Sequence, residues 1–198
     1  MQILQNSPHL ILASKSPRRS YLLEQAGLEF EVIPSDFDES SVALIEPADY
    51  VKKLAREKAL SIARAYPQSW VIGADTVVLI NGTILGKPKS DAQARQMLKT
   101  LSGATHRVLS GYSIQCQAQN HIFSEALSTE VCFKKLSEAE ITWYIGTREP
   151  FDKAGAYAIQ GLGTFIVKSI KGSYTNVVGL PVCEVLEHLI SAGVVNRL

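Results

Sequence analysis

The sequence predicts an α/β fold built on a mixed sheet, and three features of its hydrophobic pattern predict it. Short β-branched runs alternate with segments whose apolar residues recur at helical spacing, the pattern of strand-helix-strand units. Asn81-Gly82 between two apolar runs marks a two-residue hairpin, hence an antiparallel pair. Two long runs of mixed alternation, 107–116 and 121–133, read as further antiparallel neighbours.

The elements follow in order. Residues 10–13 are a short apolar run that breaks at Ser14-Lys15-Ser16-Pro17, after which Tyr21, Leu22, Leu23 and Ala26 recur at helical spacing before Gly27. This reads as strand, loop and helix, with Ser16 as N-cap, Pro17 in the first turn and Gly27 as C-cap. Residues 30–33 read as a second strand, leading into an acidic, serine-containing loop over 35–41. From Pro47 to about Ala65, the residues Val51, Leu54, Ala55, Ala59 and Ile62 form one helical stripe. Residues 70–80 are nearly all apolar and read as a buried strand, which returns through Asn81-Gly82 into 83–85 and ends at Gly86-Lys87-Pro88.

Ser90 with Gln93, and Ser137 with Glu140, have capping-box spacing and open helices, the first running to about Leu101. Beyond Gly146, glycines crowd around charged residues, a backbone suited to close approach. Residues 164–170 read as a strand, 172–179 as a loop, and Pro181 to about Ala192 as a final amphipathic helix. No repeat, low-complexity tract or linker interrupts the chain, so residues 1–198 are expected to form a single domain with two lobes.

With 198 residues, 46% hydrophobic and 20% charged, the chain can bury one sizeable core or two small ones. A formal net charge of +1 with scattered Lys and Arg argues against nucleic acid or a membrane surface as a stable partner, and leaves a small phosphorylated ligand compatible. Cys116, Cys132 and Cys183 are far apart and lack metal-ligand spacing, so neither a disulfide framework nor a zinc site is expected. The histidines His9, His106, His121 and His188 show no ligand spacing either. Met1 to Pro8 carries no leader pattern and no apolar run reaches the ~20 residues that span a bilayer, so the expected location is the cytoplasm.

Four features point to chemistry. Asp75 interrupts the apolar run Val71-Ile72-Gly73-Ala74-Asp75-Thr76-Val77-Val78, where an ionised carboxylate is costly unless a cation or several donors hold it. A structural aspartate bonded to amides or to an arginine would satisfy the same cost. Lys58 lies on the apolar stripe, four residues after Leu54 and four before Ile62, and such a lysine either snorkels to the surface or meets an anion. Carrying the hairpin register onward sets Lys87 opposite Thr76 and so close to Asp75. Finally, Ser14-Lys15-Ser16-Pro17-Arg18-Arg19 joins a strand to a helix N-terminus, where free amides, hydroxyls and guanidiniums can meet phosphate oxygens; a capped surface helix is the plainer alternative.

In this order the segments Ala13-Ser14-Lys15-Ser16-Pro17-Arg18-Arg19, Leu54-Ala55-Arg56-Glu57-Lys58-Ala59, Gly73-Ala74-Asp75-Thr76, Gly86-Lys87-Pro88, Asp152-Lys153-Ala154-Gly155-Ala156-Tyr157 and Gly172-Ser173-Tyr174 through Gly179-Leu180-Pro181 resemble the Maf family of nucleotide pyrophosphatases. The resemblance implies an α/β fold of Maf/ITPase type, with an elongated mixed β-sheet flanked by helices, two lobes around a nucleotide-binding cleft, and frequent homodimers. The stretch Asp152 to Tyr157 followed by Ile159-Gln160-Gly161 resembles the subgroup acting on dTTP and UTP, and implies that Arg18, Thr76 and Gln160 set base selectivity.

It further implies a pyrophosphatase in which Ser14, Ser16, Arg18, Arg19, Lys58 and Lys87 hold the triphosphate and Asp75 is the catalytic base. Mg²⁺ or Mn²⁺ would be held by Asp75, Glu57 and Glu39, although Asp36, Asp38 and Glu39 share one loop and the sequence does not choose among them. Two alternatives stay open: the same chemistry on 7-methyl-GTP or another nucleotide, and a non-catalytic regulator of septum formation.

Overall fold

The computed structural model describes residues 8–43 and 45–196; residues 1–7, part of the stretch read as free of a leader, lie outside the described residues. The chain order is β1 (Leu10–Leu12), α1 (Pro17–Gln25), β2 (Glu31–Val32), α2 (Pro47–Ala65), β3 (Trp70–Ile80), β4 (Thr83–Leu85), α3 (Asp91–Leu101), β5 (Thr105–Cys116), β6 (His121–Phe133), α4 (Glu138–Gly146), β7 (Val167–Lys171), α5 (Tyr174–Val178) and α6 (Val182–Ser191). Among the described residues these seven strands form one mixed sheet, ordered β2-β1-β3-β5-β6-β7 with β4 paired to β3. β1 runs parallel to β2 and β3, whereas β3 with β4 and β6 with β7 are antiparallel. The α/β class predicted from the pattern is the one that forms.

Packing divides the chain into two compact units. The first comprises the chain through Asp75, Ser110–Leu127 and the chain from Gly179; the second comprises Thr76–Leu109 and Ser128–Val178. In the first unit the predicted stripe of α2 is buried, and Ala59, Ile62 and Ala63 pack with Ile11, Ala13 and Val71 of the β1–β3 region. Each large aliphatic side chain buried this way contributes roughly 1.5–3 kcal/mol. Two glycines let the helix lie directly on the strands: a Cβ at Gly73 would sit 2.7 Å from the Ala59 amide, and one at Gly111 would sit 2.7 Å from the Lys52 amide. In the second unit α3 and α4 bury Met97, Leu98, Leu101, Ile141, Tyr144 and Ile145 with Val78, Phe133 and Tyr157.

The hairpin forms with the register its turn predicts, Ile80 opposite Thr83, because Asn81 and Gly82 both adopt positive φ, 49° and 73°. Ser137 and Glu140 close a complete capping box on α4. At α3 the box is half made: Ser90 accepts from the Gln93 amide, but the Gln93 side chain turns to the Lys89 amide.

Three expectations are corrected. The β3–β4 ladder ends at Val78 opposite Leu85, because the Gly86 carbonyl accepts from the Gly155 amide at 3.0 Å, so Lys87 is not carried into register with Thr76. The strand expected over 164–170 begins at Val167, after a 3-10 turn at Gly161–Phe165 in which the Thr164 hydroxyl bonds the Gly161 carbonyl. The loop expected over 172–179 contains the short helix α5, started by Ser173 Oγ accepting from the Asn176 amide and anchored by Asn176 Nδ2 donating to Val108 O and Thr129 Oγ1.

Candidate active site

Asp75, Lys58, Glu39, Ser14 and Arg19 all lie within the first unit. β3 enters the core as an apolar strand, and Gly73 brings α2 so close that Lys58, one turn beyond Leu54 and Ala55, reaches the strand two residues further along. Lys58 Nζ donates to Asp75 Oδ1 at 2.7 Å, with both side chains nearly buried. The same ammonium lies 2.6 Å from Glu39 Oε1, whose side chain is half exposed. Lysine in the apolar stripe therefore does not snorkel to water; it is held between two carboxylates.

The acidic loop is sorted by this arrangement. Asp38 caps the short turn at Glu39–Ser41, accepting from the Ser40 amide at 2.9 Å and the Ser40 hydroxyl at 2.7 Å. Asp36 lies 3.9 Å from Lys15 with both side chains exposed, a pair of little energetic weight. Glu39 alone of these acids is an ion-pair partner of Lys58.

The β1–α1 turn is braced from within. Ser14 Oγ accepts from the Ser16 amide at 3.2 Å and from Arg19 Nη1 at 3.1 Å. Arg19 Nη1 also donates to the carbonyl of Ala74 at 3.0 Å, and Nε donates to Gly179 O at 2.8 Å. Arg19 thus ties the turn to the residue preceding Asp75 and to the segment before α6. Ser16 sits at the N-cap of α1, Pro17 follows in the first turn, and the Ser16 side chain makes no cap hydrogen bond.

Burial pushes the Asp75 carboxyl above its ordinary value, outweighing the opposite pull of Lys58 and Arg19. Burial likewise lowers the Arg19 guanidinium, against the pull of Asp75. The phenol of Tyr50 on α2 is pushed up by burial and by the charges of Asp75 and Glu39.

Glu57 is partly buried on α2 beside Lys58. Among the described residues no three His, Cys, Asp or Glu side chains gather into a metal-holding group. Arg18, partly buried in α1, belongs to the first unit, while Thr76, Lys87 and Gln160 belong to the second. In the second unit Lys87 is exposed, Thr76 and Gln160 are partly buried, and the Gln160 amide makes no hydrogen bond to a described residue.

Fold and site define a class: an α/β protein in which a strand carries a nearly buried aspartate paired with a lysine, beside an arginine-braced turn at a helix N-terminus. The chain belongs to the family of Maf-like proteins, whose model matches residues 9–192. A dTTP/UTP pyrophosphatase of Syntrophus aciditrophicus (strain SB) is 49% identical over 184 residues, covering 93% of this chain and 90% of that protein. One from Citrifermentans bemidjiense is 51% identical over 180 residues, covering 91% and 93%, and one from Geotalea uraniireducens (strain Rf4) is 47% identical over 194 residues, covering 98% and 100%.

Proposed function

We propose that this chain is a nucleoside triphosphate pyrophosphatase that hydrolyses dTTP and UTP to the monophosphate and diphosphate. The observation that carries the reading is Asp75: a nearly buried carboxylate, raised by burial and held by Lys58, in a family whose similar relatives are named for this reaction. A carboxylate raised above its ordinary value is a better proton acceptor than an ordinary aspartate, which supports a role for Asp75 in taking the proton of an attacking water. Lys58 fixes Asp75 in place, and Arg19 fixes the Ala74 carbonyl that precedes it. In this reading Ser14, Ser16, Arg18 and Lys58 of the first unit would supply donors for phosphate oxygens, and Lys87 of the second unit is a further candidate donor. Within the second unit, the Gln160 amide offers the donor and acceptor that a thymine or uracil edge requires, with Thr76 of the same unit as a second selector; Arg18 of the first unit is assigned to base selection by the family resemblance alone.

The donor set suits a hard divalent cation, since Glu39 and Asp75 already converge on one positive charge and offer carboxylate oxygen. Glu39 and Asp75 would hold Mg²⁺ or Mn²⁺, with Glu57 of the same unit as the third proposed ligand, although the three do not gather into a metal-holding group among the described residues. Such an ion, when bound, supplies charge neutralisation at phosphate oxygens and acidifies water. We propose further that the enzyme works in the cytoplasm and as a homodimer; no described helix is long and apolar enough to cross a membrane.

The test is a panel of dTTP, UTP, CTP, GTP and 7-methyl-GTP with Mg²⁺, Mn²⁺ or chelator, resolving monophosphate, diphosphate and orthophosphate. The expected outcome is metal-dependent release of diphosphate from dTTP and UTP, with Asp75→Asn lowering kcat by about 100-fold or more, the scale of general-base loss. Cleavage of 7-methyl-GTP in preference reassigns the substrate, and no cleavage with either metal favours a non-catalytic regulator.

A further inference from the structure

The pyrimidine reading gives Gln160 the task of meeting the base, but a glutamine on a glycine-flanked loop selects only if the loop is held still. The structure shows what holds it. Arg148 adopts a left-handed conformation, φ 64°, just past α4, and so reverses the chain to bring Glu149 back over Tyr144. Glu149 Oε1 accepts from the Tyr144 hydroxyl at 2.9 Å and from the Gly163 amide at 2.9 Å, while Oε2 accepts from the Leu162 amide at 3.0 Å. The Tyr144 oxygen in turn accepts from the Ala158 amide at 3.1 Å. One carboxylate thereby fastens both ends of the segment 158–163, directly at Leu162 and Gly163 and through Tyr144 at Ala158.

The fit of the loop to that carboxylate is close. Gly161 has φ 67°, and a Cβ there would stand 2.6 Å from Glu149 Oε2. A Cβ at Gly163 would stand 2.6 Å from the Tyr144 hydroxyl. The Lys153 ammonium closes the other side, donating to the Glu149 carbonyl at 2.8 Å. Burial alone pushes the Glu149 carboxyl up; the Leu162 amide, the Tyr144 hydroxyl and the Gly163 amide outweigh it and leave the group below its usual value, charged at neutral pH. Gln160 lies inside the fastened segment, with no hydrogen bond of its own to a described residue.

We propose that Glu149 is a positioning residue for base selection: its carboxylate, with Tyr144, clasps the segment 158–163 and thereby holds the Gln160 amide in the one orientation that accepts a thymine or uracil edge. The inference rests on the proposed pyrimidine triphosphate activity and extends it to a residue that touches neither the base nor the phosphates. A selector held by hydrogen bonds discriminates against a base with the wrong donor pattern because its own groups are left unpaired, and a loosened selector can turn to suit either.

The experiment compares wild type, Glu149→Ala, Glu149→Gln and Tyr144→Phe, measuring kcat and KM for dTTP, UTP and CTP, with amide hydrogen exchange over 158–163 and a melting temperature for each protein. Glu149→Ala is expected to lose protection at the Leu162 and Gly163 amides, and to lower the dTTP-to-CTP ratio of kcat/KM by about tenfold. Most of that change should appear in KM for dTTP and UTP, since the groups around Asp75 are left untouched. Tyr144→Phe, which cuts only the arm to Ala158, is expected to give a smaller loss in the same direction. If Glu149→Ala does not fold, Glu149→Gln, whose amide nitrogen cannot accept from Leu162, and Tyr144→Phe carry the same comparison. Folded variants with an unchanged dTTP-to-CTP ratio overturn the clasp even if the loop exchanges faster. A wild type that cuts neither dTTP nor UTP overturns instead the functional reading beneath it.

Discussion

His106 is 2% exposed, its Nε2 lies 2.8 Å from the Tyr157 hydroxyl, and its Nδ1 has no partner among the described residues. Phe133 meets it edge-on at 4.8 Å between centroids. Burial lowers its pKa to about 4, so the imidazole is folded into the second unit as the neutral species. Between the unfolded value near 6.5 and about 4 the unfolded chain binds the extra proton, so this group's contribution is complete above that window and is lost as pH falls through it. The share at stake is roughly 3 kcal/mol. Urea unfolding at about pH 7 and about pH 4.5 should show the wild type losing more stability than His106→Gln, which offers Tyr157 a partner but does not titrate; equal losses would exclude His106 as the cause. At this scale Asp75 and Lys58 were legible because a charge in an apolar strand or stripe has to be answered. Glu149 was not, since its partners at Leu162 and Gly163 lie 13 and 14 residues away and nothing local announces them.

Helix α2 depends on the absence of one atom. At Gly73 an added Cβ would overlap the Ala55 carbonyl and stand 2.9 Å from the Ala59 Cβ, so Gly73→Ala must lift the helix that carries Lys58 off the strand that carries Asp75. Overpacking of this kind costs about 1–3 kcal/mol. Gly146→Ala, where a Cβ meets nothing within 4 Å, is the matched control. Gly73→Ala is expected to lower the melting temperature and to reduce kcat in the protein that remains folded, with Gly146→Ala close to wild type in both; indistinguishable variants would remove the packing account. Elements with a local cause were readable to the residue, as in the hairpin at Asn81-Gly82 and the box at Ser137 and Glu140. Those set by distant partners were not: α5 is held by Asn176 bonding to Val108 and Thr129, 68 and 47 residues away. Lys87 escaped its expected register because Gly86 bonds to Gly155 instead of continuing the ladder.

For the molecule as a whole, the cysteines report the packing without a disulfide among them. Cys116 is buried, Cys132 intermediate and Cys183 exposed, and all three are free. The Cys183 thiol is pushed up by the neighbouring Glu187 carboxylate, so its reactive thiolate is scarce at neutral pH. A chromogenic thiol reagent should modify Cys183 first, slowly and faster as pH rises, and reach Cys116 only on unfolding; early labelling of Cys116 would contradict the packing of β5. The α/β class was legible because it follows from periodicity, and two lobes were expected, but the boundaries of the two units were not legible, because Asp75–Thr76, Leu109–Ser110 and Leu127–Ser128 fall inside β3, β5 and β6 instead of in linkers. That placement has a consequence for how the chain comes to be folded. Neither unit is one uninterrupted stretch: the first awaits residues from Gly179 onward, and the second awaits Ser128–Val178. During synthesis the N-terminal strands must remain without their late partners until nearly all of the polypeptide has emerged, so folding is dominated by closure of long loops and is expected to be slow for a protein of this size.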